Sequence, residues 1–172
     1  MPVDITLRPE IPADHAEVRR VNELAFSQPA EADLVDALRA AGAATLSLVA
    51  VYEGRVVGHI LFSPVTVASP RGDFAAVGLA PMAVLPELQK QGVGSLLVQA
   101  GLDQLRRAGH EVVVVLGHPG YYPRFGFERS GAHGIRWEHD APDEAFMVLE
   151  LRPGALGGRG GVVRYRPELD AV

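Results

Sequence analysis

Apolar residues fall along the chain in two alternating rhythms, and their order predicts the architecture. "ITLRP" (Ile5–Pro9) reads as a short strand closed by proline. Asp14 and Glu17 then have capping-box spacing, and Val18, Val21, Leu24 and Ala25 recur at helical intervals. A second helix follows Pro29, with Leu34, Leu38 and Ala41 as its apolar stripe and Gly42 as its stop. "TLSLVAVYEGRVVGHILFSPVTVA" holds two β-branched runs around Glu53-Gly54, a hairpin signal. Ala75–Leu85 reads as the next strand, with Pro81 marking a bulge or a departure from the ladder.

Val93, Leu96, Leu97, Ala100 and Leu105 then define a helix that ends at Gly109. "EVVVVLG" (Glu111–Gly117) is a continuous apolar run, as expected of a strand covered on both faces. "HPGYYPRFGF" reads as a tight loop and a short helix, "FMVLEL" (Phe146–Leu151) as a strand, and the tail as glycine-rich and then strand-like. The order β-α-α-β-β-β-α-β-α-β is an α/β mixture with strands on both sides of a central helix. With 172 residues, no internal repeat and no dividing linker, the chain is expected to form one domain over 1–172.

Composition narrows the chemistry by exclusion. Net charge is −5, which disfavours nucleic acid as the main partner because a duplex binder needs a basic face. With no cysteine, disulfides, thiolate metal sites and cysteine nucleophiles are ruled out; His110, His133 and His139 show no metal-ligand spacing and read as surface residues, and no metal is expected. The start of the chain carries charges where a signal peptide needs an apolar run, and no stretch approaches the length of a membrane span. A cytoplasmic protein without membrane contact is the expectation.

The strongest chemical signal is "LQKQGVGSLLV" (Leu88–Val98). Two glycines open a helix here, beside Lys90, the only lysine in the chain. A helix N-terminus presents unpaired N–H groups and a partial positive charge, and glycine lets a bulky anion come close to them. The stretch suits a phosphate or pyrophosphate; the plainer reading is a helix that starts on glycines for close packing. A Walker loop places its lysine after the last glycine, not before, and a dinucleotide fingerprint needs a third glycine where this chain has Leu97.

In context, Gln-x-x-Gly-x-Gly after an apolar strand with Pro86, and "YYPRFGF" at Tyr121–Phe127, resemble the coenzyme A loop and the Tyr-x-x-x-Gly-Phe signature of the GCN5-related N-acetyltransferase family. The likeness covers nearly the whole chain, and the tail "FMVLELRPGAL" is similar to that of the bacterial YhbS-like branch. It implies a mixed, mostly antiparallel central sheet splayed between strands 4 and 5, with helices on both faces. It implies acetyl-coenzyme A as co-substrate and a small-molecule or protein amine as acceptor, and it admits a homodimer. Met82, Ala83 and Val84 would offer backbone groups to the pantetheine arm, with an oxyanion donor near Val84. Lys90, Gln91, Gly92, Val93, Gly94 and Ser95 would surround the pyrophosphate, and Gln89 stands where the family has arginine or glutamine.

By the same likeness Tyr122 takes the place of the general acid that protonates the leaving thiolate; the alternative is packing against Tyr121 and Phe125. The general base has no clear candidate, since Ala75–Leu85 carries no carboxylate. His118 follows the fifth strand, and imidazole exchanges protons near neutral pH. Glu31 and His59 are weaker candidates. Arg106 and Arg107 read as a solvated helix end, and Trp137 as core or a pocket wall.

Overall fold

The computed structural model describes residues 4–172. In chain order it runs β1 (Thr6–Pro9), α1 (His15–Phe26), α2 (Ala30–Ala40), β2 (Leu46–Tyr52), β3 (Arg55–Ala68), β4 (Phe74–Val84), α3 (Val93–Arg107), β5 (Val112–Leu116), β6 (Glu128–Arg129), β7 (Ile135–Trp137), β8 (Phe146–Glu150) and β9 (Gly161–Tyr165). Two compact units are built from this chain. The first holds the described residues up to Ser63 with Ala80–Asp103 and Pro167–Val172; the second holds Pro64–Leu79 and Gln104–Arg166.

In the first unit β1, β2 and β3 form an antiparallel meander, with Thr6 opposite Val51 and Leu46 opposite Phe62. The β2–β3 turn has positive φ at both Glu53 (50°) and Gly54 (77°), the backbone a tight two-residue hairpin demands. Helix α1 buries Val18, Val21 and Asn22, while Leu24 lies 44% exposed, two-thirds of a turn away from Val18. Helix α3 buries Val93, Leu97, Val98 and Leu102. Leu96, expected on that face, is 48% exposed, because the buried face centres near Gly101. A Cβ on Gly101 would lie 2.5 Å from the ring of Phe62, so glycine at that point sets how closely α3 approaches the strand.

The expected capping box at Asp14 does not form. Asp14 makes no side-chain cap to α1; its carboxylate instead accepts two bonds from Arg8, at 2.7 and 2.9 Å, and one from the Ile11 N–H. A bidentate guanidinium outcompetes a neutral amide for the same oxygens. The Arg8 hydrogen bonds hold the Asp14 carboxyl below its usual range.

In the second unit β4 and β5 pair in parallel at Val77–Val113 and Gly78–Val114. Strand β5 pairs antiparallel with β8 along its whole length, and β8 also takes β6. The end of β3 pairs antiparallel with β9, which runs parallel to β7. Val112, Val114, Ile135, Phe146, Val148 and Val163 sit in its core, in keeping with the unbroken apolar run of β5. Strand β4 runs through Pro81 to Val84, with a cis Ala80–Pro81 bond. Strands β6 and β7 were not expected from the sequence; two and three residues are too few to show a period.

Candidate active site

In the first unit, β4 ends at Val84 and a short 3-10 turn, Pro86–Leu88, leads to Gln89. The backbone then takes the left-handed conformation at Lys90 (φ 62°) and at Gly92 (φ 92°), and α3 begins at Val93. Left-handed φ costs a side-chain-bearing residue on the order of 1 kcal/mol, so its retention at Lys90 marks a loop shaped for more than connection. Nothing lies within 4 Å of where a Cβ on Gly92 would stand, so the side of the loop that bears no side chain is open to a ligand. The first turn of α3, from Val93 through Ser95, follows directly.

Two expected ligand contacts also shape the loop from inside. The Gln89 amide donates to the Val84 carbonyl at 2.9 Å, and the Gln91 amide donates to the Glu87 carbonyl at 3.2 Å. The loop is further tied to β3 by the Leu85 N–H, which donates to the Val57 carbonyl at 2.9 Å. Gln89 therefore fixes the exit of β4, while Met82 and Ala83 lie on the strand just before it.

In the second unit, Tyr122 opens the 3-10 turn Tyr122–Phe125. The His118 carbonyl accepts from the Tyr121 and Tyr122 N–H groups at 3.1 and 3.3 Å, which joins the two candidate catalytic residues through one turn. The Tyr122 ring meets Tyr121 and Phe127 edge-on, at 5.1 and 5.7 Å between centroids. Packing and a catalytic role are compatible here, because the hydroxyl has no hydrogen-bond partner among the described residues. Burial, with a smaller contribution from Tyr121, pushes the Tyr122 phenol up to about 12. It therefore stays protonated and able to donate across the neutral range.

His118 is exposed and lines a cavity of about 440 Å³ together with Leu116, Trp137 and Asp140. A second cavity, of about 580 Å³, contains Arg71 and Arg136 and none of the expected site residues. Trp137 is both core and wall: it stacks on Phe146 at 6.2 Å and lines the His118 cavity.

His59 is removed from the chemistry by its surroundings. It is fully buried, and its two nitrogens are engaged, Nδ1 at 3.3 Å from the Asn22 amide nitrogen and Nε2 at 2.9 Å from Ser47 Oγ. The Asn22 amide also donates to the Val18 carbonyl, so it acts as donor to Nδ1 and places the imidazole proton on Nε2. Ser47 in turn donates to Glu10 at 2.8 Å, and Arg39 holds the other Glu10 oxygen at 2.5 Å. Burial, and then the charge of Arg39, drives His59 down to about 3. Glu31 accepts two bonds from Gln28, at 3.0 and 3.1 Å.

Two residues at the site escaped the sequence reading. Gly117 closes the run Glu111–Gly117 and takes no role there, yet the Tyr122 ring lies against it. Asp140 sits in a stretch without periodicity, and only the fold carries it to the His118 cavity.

Comparison with known proteins places these features in a family. An acetyltransferase (GNAT) domain model matches residues 6–130. The uncharacterized N-acetyltransferase YhbS of Escherichia coli K12 is 42% identical over 160 residues, covering 92% of this chain and 95% of its own. The crystal structure of Escherichia coli YhbS in complex with CoA superposes with a TM-score of 0.92 at 38% identity, covering 99% of this chain and 94% of that one. A GNAT family acetyltransferase from Brucella melitensis, in complex with acetyl-CoA, has a TM-score of 0.81 at 40% identity, covering 98% and 100% of the two chains.

Proposed function

The chain belongs to the GNAT N-acetyltransferase family, and from that premise we propose that it moves an acetyl group from acetyl-coenzyme A to the primary amine of an acceptor, by direct attack while both are bound. The observation that carries this reading is the loop from Gln89 to Ser95. It has left-handed backbone at Lys90 and Gly92, an open side at Gly92 and a helix N-terminus immediately after. That combination suits a pyrophosphate, with Lys90 as its one mobile cation. Two relatives crystallised with coenzyme A or acetyl-coenzyme A support the choice of ligand.

Acetyl-coenzyme A would supply the acyl thioester. Met82, Ala83 and Val84 would line its arm through backbone groups, as one strand lines another. Lys90, Gln91, Gly92, Val93, Gly94 and Ser95 would hold its phosphates. His118 would take the proton that the acceptor ammonium loses before attack. As the C–N bond forms and the C–S bond breaks, the Tyr122 hydroxyl would protonate the leaving sulfur, and the proton that the new amide nitrogen sheds would restore the phenol. The phenol stays protonated at neutral pH and so has a proton to give, while burial makes it a weaker acid than a free tyrosine, so the transfer depends on its position beside the sulfur.

A second reading has one observation in its favour: β4 contains no carboxylate to act as base, which fits a coenzyme A sensor with little turnover. Thiol release from acetyl-coenzyme A across a panel of amines separates the two. Acceptor-dependent release is the expected result. Tight binding of acetyl-coenzyme A with no release for any amine would favour the sensor. A thermal shift with ATP but none with acetyl-coenzyme A would overturn both.

A further inference from the structure

We propose that the cavity beside His118 selects the acceptor, and that the acceptor is a small cationic amine with an apolar body, its ammonium paired with Asp140 and its body laid against Trp137 and Leu116. This rests on the transferase reading above and adds the substrate class.

The cavity holds about 440 Å³, within the range of small-ligand sites and too small for a folded partner. Its walls are largely apolar: Leu116, Pro119, Trp137 and Pro142, with two alanines. His118 and Asp140 are the only titratable side chains among its lining residues, and no lysine or arginine is among them. An anionic ligand would meet a carboxylate and no fixed cation. A ligand charged along its whole length would leave most of its charges against carbon, at the cost of their hydration. One positive charge on an apolar body satisfies the walls and the carboxylate together.

The walls are also preformed. Trp137 is held by Phe146, stacked at 17° between ring planes, and by Tyr165 and His139, edge-on at 6.2 and 5.1 Å. It offers a fixed aromatic surface, which suits both an apolar body and a nearby cation. Leu116, at the end of β5, is 43% exposed, an apolar side chain left to water at the cavity. From Leu116 the chain passes through Gly117, against which Tyr122 packs, to His118, so the recess and the two candidate catalytic residues share one turn.

Trp137 is the only tryptophan in the chain and lines this cavity, so its emission reports binding there. Phenethylamine is the probe, titrated into the intact protein with and without saturating coenzyme A. Spermidine and glutamate are the comparisons, and Asp140→Asn the variant, its fold checked by circular dichroism. The expected result is a saturable change in emission with phenethylamine, at least tenfold weaker for spermidine, for glutamate and for Asp140→Asn. No saturable change with phenethylamine, or equal affinity in Asp140→Asn, overturns the inference. Thiol release from acetyl-coenzyme A is measured in parallel. Release that is fastest with spermidine, while emission stays silent, overturns the substrate class and leaves the transferase reading standing. Saturable phenethylamine binding without release for any amine supports the recess as an amine site and removes the transferase reading instead.

Discussion

Gly117 and Tyr122 fix one another: a Cβ on Gly117 would lie 2.5 Å from Cε2 of the Tyr122 ring and 2.9 Å from its Cδ2. The ring rests directly on the backbone of the segment that leaves β5. It cannot simply move away, because Tyr121 and Phe127 hold it edge-on from other sides. Gly117→Ala should therefore displace the ring and cost about 1–3 kcal/mol in stability, the usual scale of overpacking. Turnover should fall on the order of tenfold while acetyl-coenzyme A affinity barely changes. Urea unfolding, calorimetry and steady-state kinetics read the three quantities separately. Full turnover in a folded Gly117→Ala protein would show that the ring position is unimportant.

Tyr122→Phe keeps the ring contacts and removes one oxygen. If the hydroxyl protonates the departing thiolate, turnover falls roughly 10²-fold or more, with cofactor binding intact. The phenol itself should resist titration. Burial raises Tyr122 to about 12, above the ordinary value of 10, so its stabilising contribution is complete below pH 10 and is lost as pH rises from there through about 12. Tyr165 is raised as well, also by burial. Phenolate absorbance followed during alkaline titration should show these two tyrosines ionising late, and Tyr122→Phe should remove one late step. A variant in which only an early step disappears would place Tyr122 in water.

Charge and shape in the phosphate loop make separable predictions. Lys90→Ala removes a mobile charge, and acetyl-coenzyme A affinity should fall roughly fivefold at low ionic strength, less as salt is added. Gly92→Ala removes no charge but puts a side chain where φ is 92°, a conformation L-residues avoid. Its loss of affinity should be larger and indifferent to salt. Calorimetric titration at two ionic strengths tests the pair. The same salt dependence in both variants would mean that Lys90, too, acts through the shape of the loop.

The parts that were legible in the sequence share a cause: they are written in local periodicity or in a motif read along the chain. The apolar run of β5, the Glu53-Gly54 turn and the glycines before α3 are of this kind. Side-chain direction around a helix was less legible. Leu24 and Leu96 are apolar at plausible intervals yet point outward, because the buried faces are set by Asn22 and Gly101, which a hydrophobicity pattern discounts. Asp14 had the spacing of a cap, but Arg8 claims its carboxylate. Asp140 and the Gly117–Tyr122 contact depend on tertiary placement and leave no trace in any short window.

His59 illustrates the same gap, and it yields a prediction about stability. A histidine on a strand reads as a possible base, but here it is wholly buried between Asn22 and Ser47 and neutral. Burial and Arg39 lower it to about 3 from an ordinary 6.5. With the folded value below the unfolded one, the stabilisation is present above pH 6.5. It is lost as pH falls from there toward about 3, because the unfolded chain takes up the proton first. The slope approaches about 1.4 kcal/mol per pH unit inside that window. His59→Gln keeps a polar side chain and removes the titration. Its unfolding free energy should therefore be lower than wild type at neutral pH and flatter between about pH 6 and 4.5, so that the two curves converge. The Asp14 carboxylate, held low by Arg8, adds its own acid loss only nearer the carboxylate range, which keeps the upper window clean. Urea unfolding at three or more pH values across that window gives the comparison. Parallel curves would mean that His59 gains a proton in the folded state and that the Asn22–His59–Ser47 chain rearranges to admit it.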